Sequence, residues 1–287
     1  AKSNYPHYRN RNGELSYNFW QVHPKELPFP GRKLWSGMRK FRLADDLDDT
    51  SLIYLTLYSH DSTNKKVKQK MEAQVGQKMV KSTLKSYQDF QAYPTWFADK
   101  MKQDFDICVM TNVLLFVFEK GLSLSKTDEQ TIALISRMIQ EDQHKKSPRI
   151  ISPHYQQTSI ILYHVSRLLV TANHTKLNLL KAKLICDLYE QLQRCDNEME
   201  RVILLSSLYR LGEIPVNVVN EKKLLSDRQS FYWFKANPFA GSRFWKNGFF
   251  GSKWLQALFR SDAYYHALQL ELQVHQRRVT DYEYSDK

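Results

Sequence analysis

Apolar residues recur along the chain in two kinds of segment that take turns. Residues 64–87 place Val67, Met71, Val75, Val80, Leu84 and Tyr87 at helical spacing with lysines between them, which predicts an amphipathic helix on the outside of the fold. Residues 106–120, 158–170 and 202–211 are apolar almost all round, as helices buried on every side are. Residues 174–194 carry one apolar stripe (Leu177, Leu180, Leu184, Leu188, Leu192) and residues 125–144 another (Ile132, Ile135, Met138, Ile139), which makes both outer covers. Inner and outer helices in alternation, joined by short connections, predict an all-α fold. Within that class they predict a single α/α toroid, a closed or partial ring in which each buried helix is shielded by an amphipathic partner.

About ten helices are expected by this reading, whereas a ring closed by six pairs needs about twelve. The missing pair falls in 33–44 or 235–250, or the ring is incomplete. No fixed-length repeat and no Ser/Gly/Pro-rich linker interrupts residues 1–287, so one toroid domain is expected, with residues 1–40 as a largely irregular N-terminal arm.

Composition narrows this picture. Nine glycines in 287 residues are few for folds that place glycine at tight turns or against phosphates, which disfavours nucleotide-binding α/β folds and β-sandwiches. The longest apolar run, Ile107 to Phe118, is too short to span a bilayer, and residues 1–30 carry charges and prolines where a secretory signal has its apolar core. Three cysteines (Cys108, Cys186, Cys195) without metal spacing argue against a disulfide framework. They lean towards a reducing compartment such as the cytoplasm. The net charge of +12 favours anionic partners: nucleic acid, an acidic membrane face or a phosphorylated small molecule. It is spread widely, as over a solvated basic surface.

The most informative stretch is 41–52, FRLADDLDDTSL, where Asp45, Asp46, Asp48 and Asp49 immediately precede an apolar helix at 50–60. Helix capping by Asp48 or Asp49 is the plainest use of such residues, but a cap employs one or two carboxylates and gives no reason to crowd four that repel. Asp46, Asp48 and Thr50 match the D-x-D-x-T of haloacid-dehalogenase-like phosphatases, which must end a buried strand, and no such strand precedes them. Asp45, Asp46 and Asp49 match D-D-x-x-D, a magnesium-binding pattern for isoprenoid diphosphates; its usual second metal motif is missing.

Asp46-Leu47-Asp48-Asp49-Thr50-Ser51 resembles the D-x-D-D-T-[AS] motif of class II terpene cyclases, relatives of squalene–hopene cyclase and the class II diterpene cyclases. That family is built from α/α toroids. The resemblance implies a general acid at Asp48 that protonates an isoprenoid alkene, supported electrostatically by Asp46 and Asp49. It implies no required cofactor, with magnesium serving at most to anchor a diphosphate. Class II sites in the family lie between two toroids where this chain has room for one, and no glutamine–tryptophan repeat is present, which sets this chain apart from polycyclising members.

Substrate-binding residues are sought among polar side chains on apolar segments. Asp106, Cys108 and Asn112 sit in the buried stretch 106–120 and should face a cavity or each other, since burying them alone is costly. Asp106-x-Cys108 also resembles the D-x-C zinc ligands of protein prenyltransferase β-subunits, with His154 or His164 as a third ligand, but the aromatics that follow in that family are absent and no metal site is assigned. Tyr163, His164 and Arg167 lie in the apolar stretch 152–172, and a buried Arg167 needs an anion. Residues 231–254 hold ten aromatics, Trp233 and Trp245 among them, with Lys235, Arg243, Lys246 and Lys253. They read as an aromatic wall that stabilises carbocations, as a peripheral membrane contact, or as loop packing.

The sequence therefore predicts a cyclase-like toroid whose acidic cluster opens into an apolar, aromatic-lined cavity. Its ligand is a small isoprenoid or lipid-like molecule, and nucleic acid is not expected, because no sheet or RNA-binding fold presents the aromatics. Two rival readings remain: a non-catalytic toroid that binds a lipid or protein partner, and a carbohydrate-active toroid enzyme that pairs Asp48 with Asp106.

Overall fold

The computed structural model describes residues 2–24, 44–76, 80, 82–97, 103–215, 233–236 and 257–285. Helices dominate it. In chain order they are α1 (Leu47–Thr56), α2 (Asp61–Glu72), α3 (Ile107–Glu119), α4 (Lys126–Gln140), α5 (Gln143–Lys146), α6 (Pro148–Ile151), α7 (Thr158–Thr171), α8 (Thr175–Asn178), α9 (Lys181–Arg194), α10 (Glu198–Arg210) and α11 (Asp262–Ser285). Among the described residues the strands are β1 (Phe234–Ala236) and β2 (Ala257–Phe259), which pair with each other. No helix is long and apolar enough to cross a membrane among the described residues. The chain divides into two compact units, Ala1–Ile135 with Ala236–Ala257 and Ser136–Lys235 with Leu258–Lys287.

In the first unit α1 packs on α3, and α3 is buried from Ile107 to Val117, as an all-apolar helix requires. Burying such side chains is worth about 1.5–3 kcal/mol each. Helix α2 buries Val67 and Met71 and leaves Lys65 and Lys66 in water. Lys68, by contrast, turns inward: its ammonium lies 2.6 Å from Asp128, whose other oxygen accepts the Tyr93 hydroxyl at 2.8 Å. The helix expected over 64–87 ends at Glu72 with Ala73 as its cap, and the turn that follows contains Gly76 at φ +73°, a conformation that favours glycine. Val80 and Tyr87 are still buried, delivered by irregular chain and a 3₁₀ turn at Lys85–Tyr87.

Glycine explains where α3 and α10 stop. Gly121 (φ +60°) and Gly212 (φ +88°) each follow the last residue of the helix by two. Their N–H groups return to Phe118 and Tyr209, and the next residues, Leu122 and Glu213, bond back to Val117 and Leu208. Both ends therefore satisfy carbonyls that the helix leaves open.

Within the N-terminal arm, residues 2–24 are described. A 3₁₀ helix at Lys2–Tyr8 leads into a ladder of single bridges joining Arg9 to Tyr17, Tyr17 to Asp46 and Asp46 to Trp96.

In the second unit α10 packs against α7, α9 and α11, and α7 also meets α9. The leucine stripe of 174–194 is buried at all five positions, although the segment is divided into α8 and α9. His144 of α5 reaches across to α9, where its Nε2–H donates to Asp187 at 3.0 Å. Lys145 and Lys183 close on the same carboxylate at 2.5 and 3.2 Å.

Candidate functional site

Helix α1 begins three residues earlier than its apolar pattern, which takes Asp48 and Asp49 into the first turn and makes Asp46 the cap. The cap was expected at Asp48 or Asp49. Asp46 is the residue with extended backbone, and its Oδ1 accepts the Asp49 N–H at 2.7 Å, while Oδ2 accepts the Phe19 N–H at 3.1 Å. Asp45 points the other way, taking the Ser16 hydroxyl at 2.6 Å and the Asn10 amide at 2.5 Å. Asp45 and Asp46 thus anchor the N-terminal arm over the start of the helix.

Asp48 has a different neighbour. It is 7% exposed, and its Oδ1 accepts the side-chain amide of Asn112, itself buried in α3, at 2.7 Å. Ser51 and Thr50, the last two residues of the motif, do not touch the carboxyls: Ser51 donates to the Asp48 carbonyl and Thr50 accepts the Tyr17 N–H at 2.9 Å.

The electrostatics of the cluster follow from burial. Burial first, then the charges of Asp49 and Asp48, push the Asp46 carboxyl well above the ordinary carboxylate range, against the pull of the Asp49 N–H. Burial and the Asp48 charge raise Asp49 to about 7, with a hydrogen bond to Asp46 acting in the opposite sense. Crowded carboxyls in a poorly solvated place cannot all ionise together, so protons stay on. The arrangement can store protons at neutral pH next to a third carboxyl fixed by an amide.

The remaining candidates divide between the two units. Asp106 is fully buried and caps α3 by accepting the Cys108 N–H at 2.9 Å. Tyr163, Arg167 and Trp233 belong to the second unit. There the Tyr163 hydroxyl donates to Glu271 at 2.8 Å, and the guanidiniums of Arg167 and Arg210 lie 5.7 and 5.0 Å from its ring centre. Trp233 is ringed by Tyr264 at 4.4 Å, Tyr163 and His164 at 5.8 Å, and Tyr155 at 6.3 Å. His164 donates Nδ1–H to the Ile160 carbonyl at 2.8 Å, and burial followed by the charge of Arg167 pushes it down to about 3. Trp245 lies outside the described residues.

One group of three potential metal ligands occurs among the described residues, Asp142, His144 and Asp187, with donor atoms within 4.8 Å of one another. Lys183 and Lys145 already hold its carboxylates, so a cation there competes with two ammonium groups. Asp45, Asp46, Asp48 and Asp49 form no such convergent set, nor do Asp106 and Cys108 with a histidine among the described residues.

Tyr17, Phe19, Asn10 and Ser16 are partners of the cluster that the sequence pattern does not announce. Nothing local marks them, since they lie about thirty residues away along the chain. The Lys183–Asp187 pair, by contrast, has the i,i+4 spacing of a helical ion pair and was available. No family model, curated protein or solved structure matches the chain.

Proposed function

We propose that the chain is a class II terpene cyclase-like α/α toroid in which the cluster at the start of α1 protonates an isoprenoid alkene. The observation that carries this reading is the set Asp46, Asp48 and Asp49 at one helix start, with proton affinity raised at Asp46 and Asp49 and Asp48 fixed by Asn112. Asp48, once protonated from solvent beside its two neutral neighbours, gives that proton to the terminal alkene carbon. The π electrons form the new C–H bond, a tertiary carbocation remains, and Asp48 is left as a carboxylate. Protonated Asp46 and Asp49 are neutral and do not oppose that new charge, as ionised neighbours would. Loss of a proton from the cyclised cation returns the acid to its starting state.

Incubation with prenyl diphosphates of increasing chain length, followed by product analysis, tests the reading. The expected result is a cyclised product from the unmutated protein and none from Asp48→Asn, whose amide keeps the shape and lacks the proton. An unmutated protein that converts none of these substrates removes the enzymatic reading.

A second reading is supported by the use of Asp45 and Asp46 as anchors for Asn10, Ser16 and Phe19. In it the toroid binds a lipid or protein partner without chemistry, and the carboxyls serve the fold. Asp48→Asn would then leave prenyl-ligand binding intact, with no turnover in either protein.

A further inference from the structure

The N-terminal arm turns back on itself through Asn10-Arg11-Asn12-Gly13. The Gly13 N–H returns to the Asn10 carbonyl at 3.1 Å, and the Asn10 N–H donates to the Ser16 carbonyl at 2.9 Å. Asparagine at the first position and glycine at the fourth are favoured in such a turn, and Gly13 takes φ +76°, where glycine has no steric penalty. Asn12 and Gly13 are both exposed.

Three features of this turn favour attack of the Gly13 nitrogen on the Asn12 side chain. Glycine has no β-carbon to shield its nitrogen, and nothing stands within 4 Å of the place one would occupy at Gly13. Both residues face water, which takes up the departing proton and later opens the product. The Arg9 guanidinium donates to the Gly13 carbonyl at 3.1 Å, and a cation so near the nitrogen favours its deprotonated form.

We propose that Asn12 is a site of spontaneous covalent modification, its side-chain amide closing onto the Gly13 nitrogen and then opening to an isoaspartyl linkage. The Gly13 nitrogen gives its proton to water or hydroxide and attacks the Asn12 Cγ. The N–Cγ bond forms, the Cγ–Nδ2 bond breaks, and the side-chain nitrogen takes a proton from water and leaves as ammonia. Water then opens the five-membered imide at either carbonyl. One opening leaves an ordinary aspartate; the other routes the main chain through Cγ and leaves the α-carboxylate as the side group.

The same turn restrains the reaction and carries its consequence. Asn10 holds the loop shut, because its Oδ1 accepts the Asn12 N–H at 2.8 Å and the Glu14 N–H at 3.4 Å. The Gly13 nitrogen reaches Cγ only when these bonds and its own bond to Asn10 open. The other end of the Asn10 amide donates to Asp45 at 2.5 Å, so the turn is also part of the anchor at the edge of the carboxyl cluster. An isoaspartyl residue adds a methylene to the main chain and a negative charge to the loop, which loosens the hold of Asn10 on Asp45. None of this depends on the chemistry proposed for the cluster.

Incubation of the full chain at pH 8, followed by tryptic peptide mapping against an unincubated sample, tests the site. Cleavage after Arg11 and Lys246 separates Asn12 from the other Asn-Gly pair, Asn247-Gly248, which lies outside the described residues. Conversion of amide to carboxyl is expected at Asn12, with isoaspartate identified by electron-transfer fragmentation. The rate should lie below that of a free peptide of residues 9–16. Asn10→Ala should raise it by about threefold or more, with folding checked by circular dichroism. Asn12→Gln, which would need a six-membered ring, should stay unmodified at that position. In the isoaspartyl form the amides of Asn10 and Asp46, bonded to Ser16 and Tyr17, should exchange hydrogen faster.

An Asn12 that stays intact over a period in which the free peptide converts overturns the site. An unchanged rate in folded Asn10→Ala overturns the restraint assigned to Asn10. Unchanged exchange at Asn10 and Asp46 in the isoaspartyl form overturns the effect on the anchor.

Discussion

Asn112 and Asp48 meet across 2.7 Å from the facing helices α3 and α1, 64 positions apart in the chain. Both are buried, so the amide donor and the carboxyl acceptor each take the place of water for the other. Removing the donor leaves a buried acceptor less satisfied, which costs about 1–3 kcal/mol. Asn112→Leu is therefore expected to lower the urea midpoint by that equivalent at constant slope. Asn112→Asp should be worse at pH 8 than at pH 5, because it adds a carboxyl to a place that already resists ionisation. Equal loss at both pH values would separate Asn112 from the electrostatics of the cluster.

Asp49 gives the first unit a definite response to pH. Its carboxyl is raised from the ordinary value to about 7 in the fold, so between about pH 4 and 7 the folded state holds a proton that the unfolded chain has released. The stability this contributes is fully present below the unfolded value and is lost as pH rises through 7. Asp46 is raised as well and adds to the loss on the alkaline side. Asp49→Asn, which cannot ionise, is expected to flatten the decline, making the variant the more stable protein at pH 8. Hydrogen exchange at the amides of α1 and α3 reads this directly, and a variant with unchanged slope would sink the assignment.

The second unit should respond with the opposite sign. His164, pushed down to about 3 by burial and by Arg167, stays neutral in the fold while an unfolded chain takes up its proton near pH 6.5. Its contribution is complete above pH 6.5 and is lost as pH falls towards the folded value. His144 is lowered by burial too and acts in the same direction. Protection of α7 and α10 amides should fall between pH 6.5 and 4.5, over a range in which the α1 and α3 amides gain. His164→Gln should reduce that fall, since the amide can still donate to Ile160 and does not titrate.

These opposed responses mark what the chain declares locally and what it does not. The stripe Leu177, Leu180, Leu184, Leu188 and Leu192 and the apolar run 107–117 announce their burial because helical periodicity is a property of neighbours in sequence. The end of α2 at Glu72 was hidden, because Val75, Val80 and Tyr87 keep the helical spacing beyond it. In the acidic motif the local pattern points to Asp48 or Asp49 as the cap of α1, and the cap is Asp46. The choice of Asp46 is made by Tyr17, Phe19 and Trp96, which bridge to it from distant parts of the chain, and single-sequence patterning carries no signal for such pairings. Trp233 follows the same rule: its aromatic character was legible, its enclosure by Tyr155, Tyr163, His164 and Tyr264 was not.

The last prediction separates two chemistries that use the same aspartates. If Asp45, Asp46 and Asp49 held magnesium to ionise a diphosphate, chelation would abolish turnover, because the leaving group departs only with metal assistance. If Asp48 is the general acid, protonation itself needs no metal, and turnover should survive chelation with a changed apparent affinity for the diphosphate. The pH profile gives an independent handle. Asp49, raised to about 7, becomes a charged neighbour of Asp48 above that value and Asp46 follows, so the arrangement that shields the nascent carboxylate is lost. Activity is expected to be retained below pH 7 and to fall above it, and Asp49→Asn should shift that alkaline limb upward while Asp48→Asn removes turnover at every pH. Complete loss with a chelator, restored by magnesium alone, would refute the role assigned to Asp48.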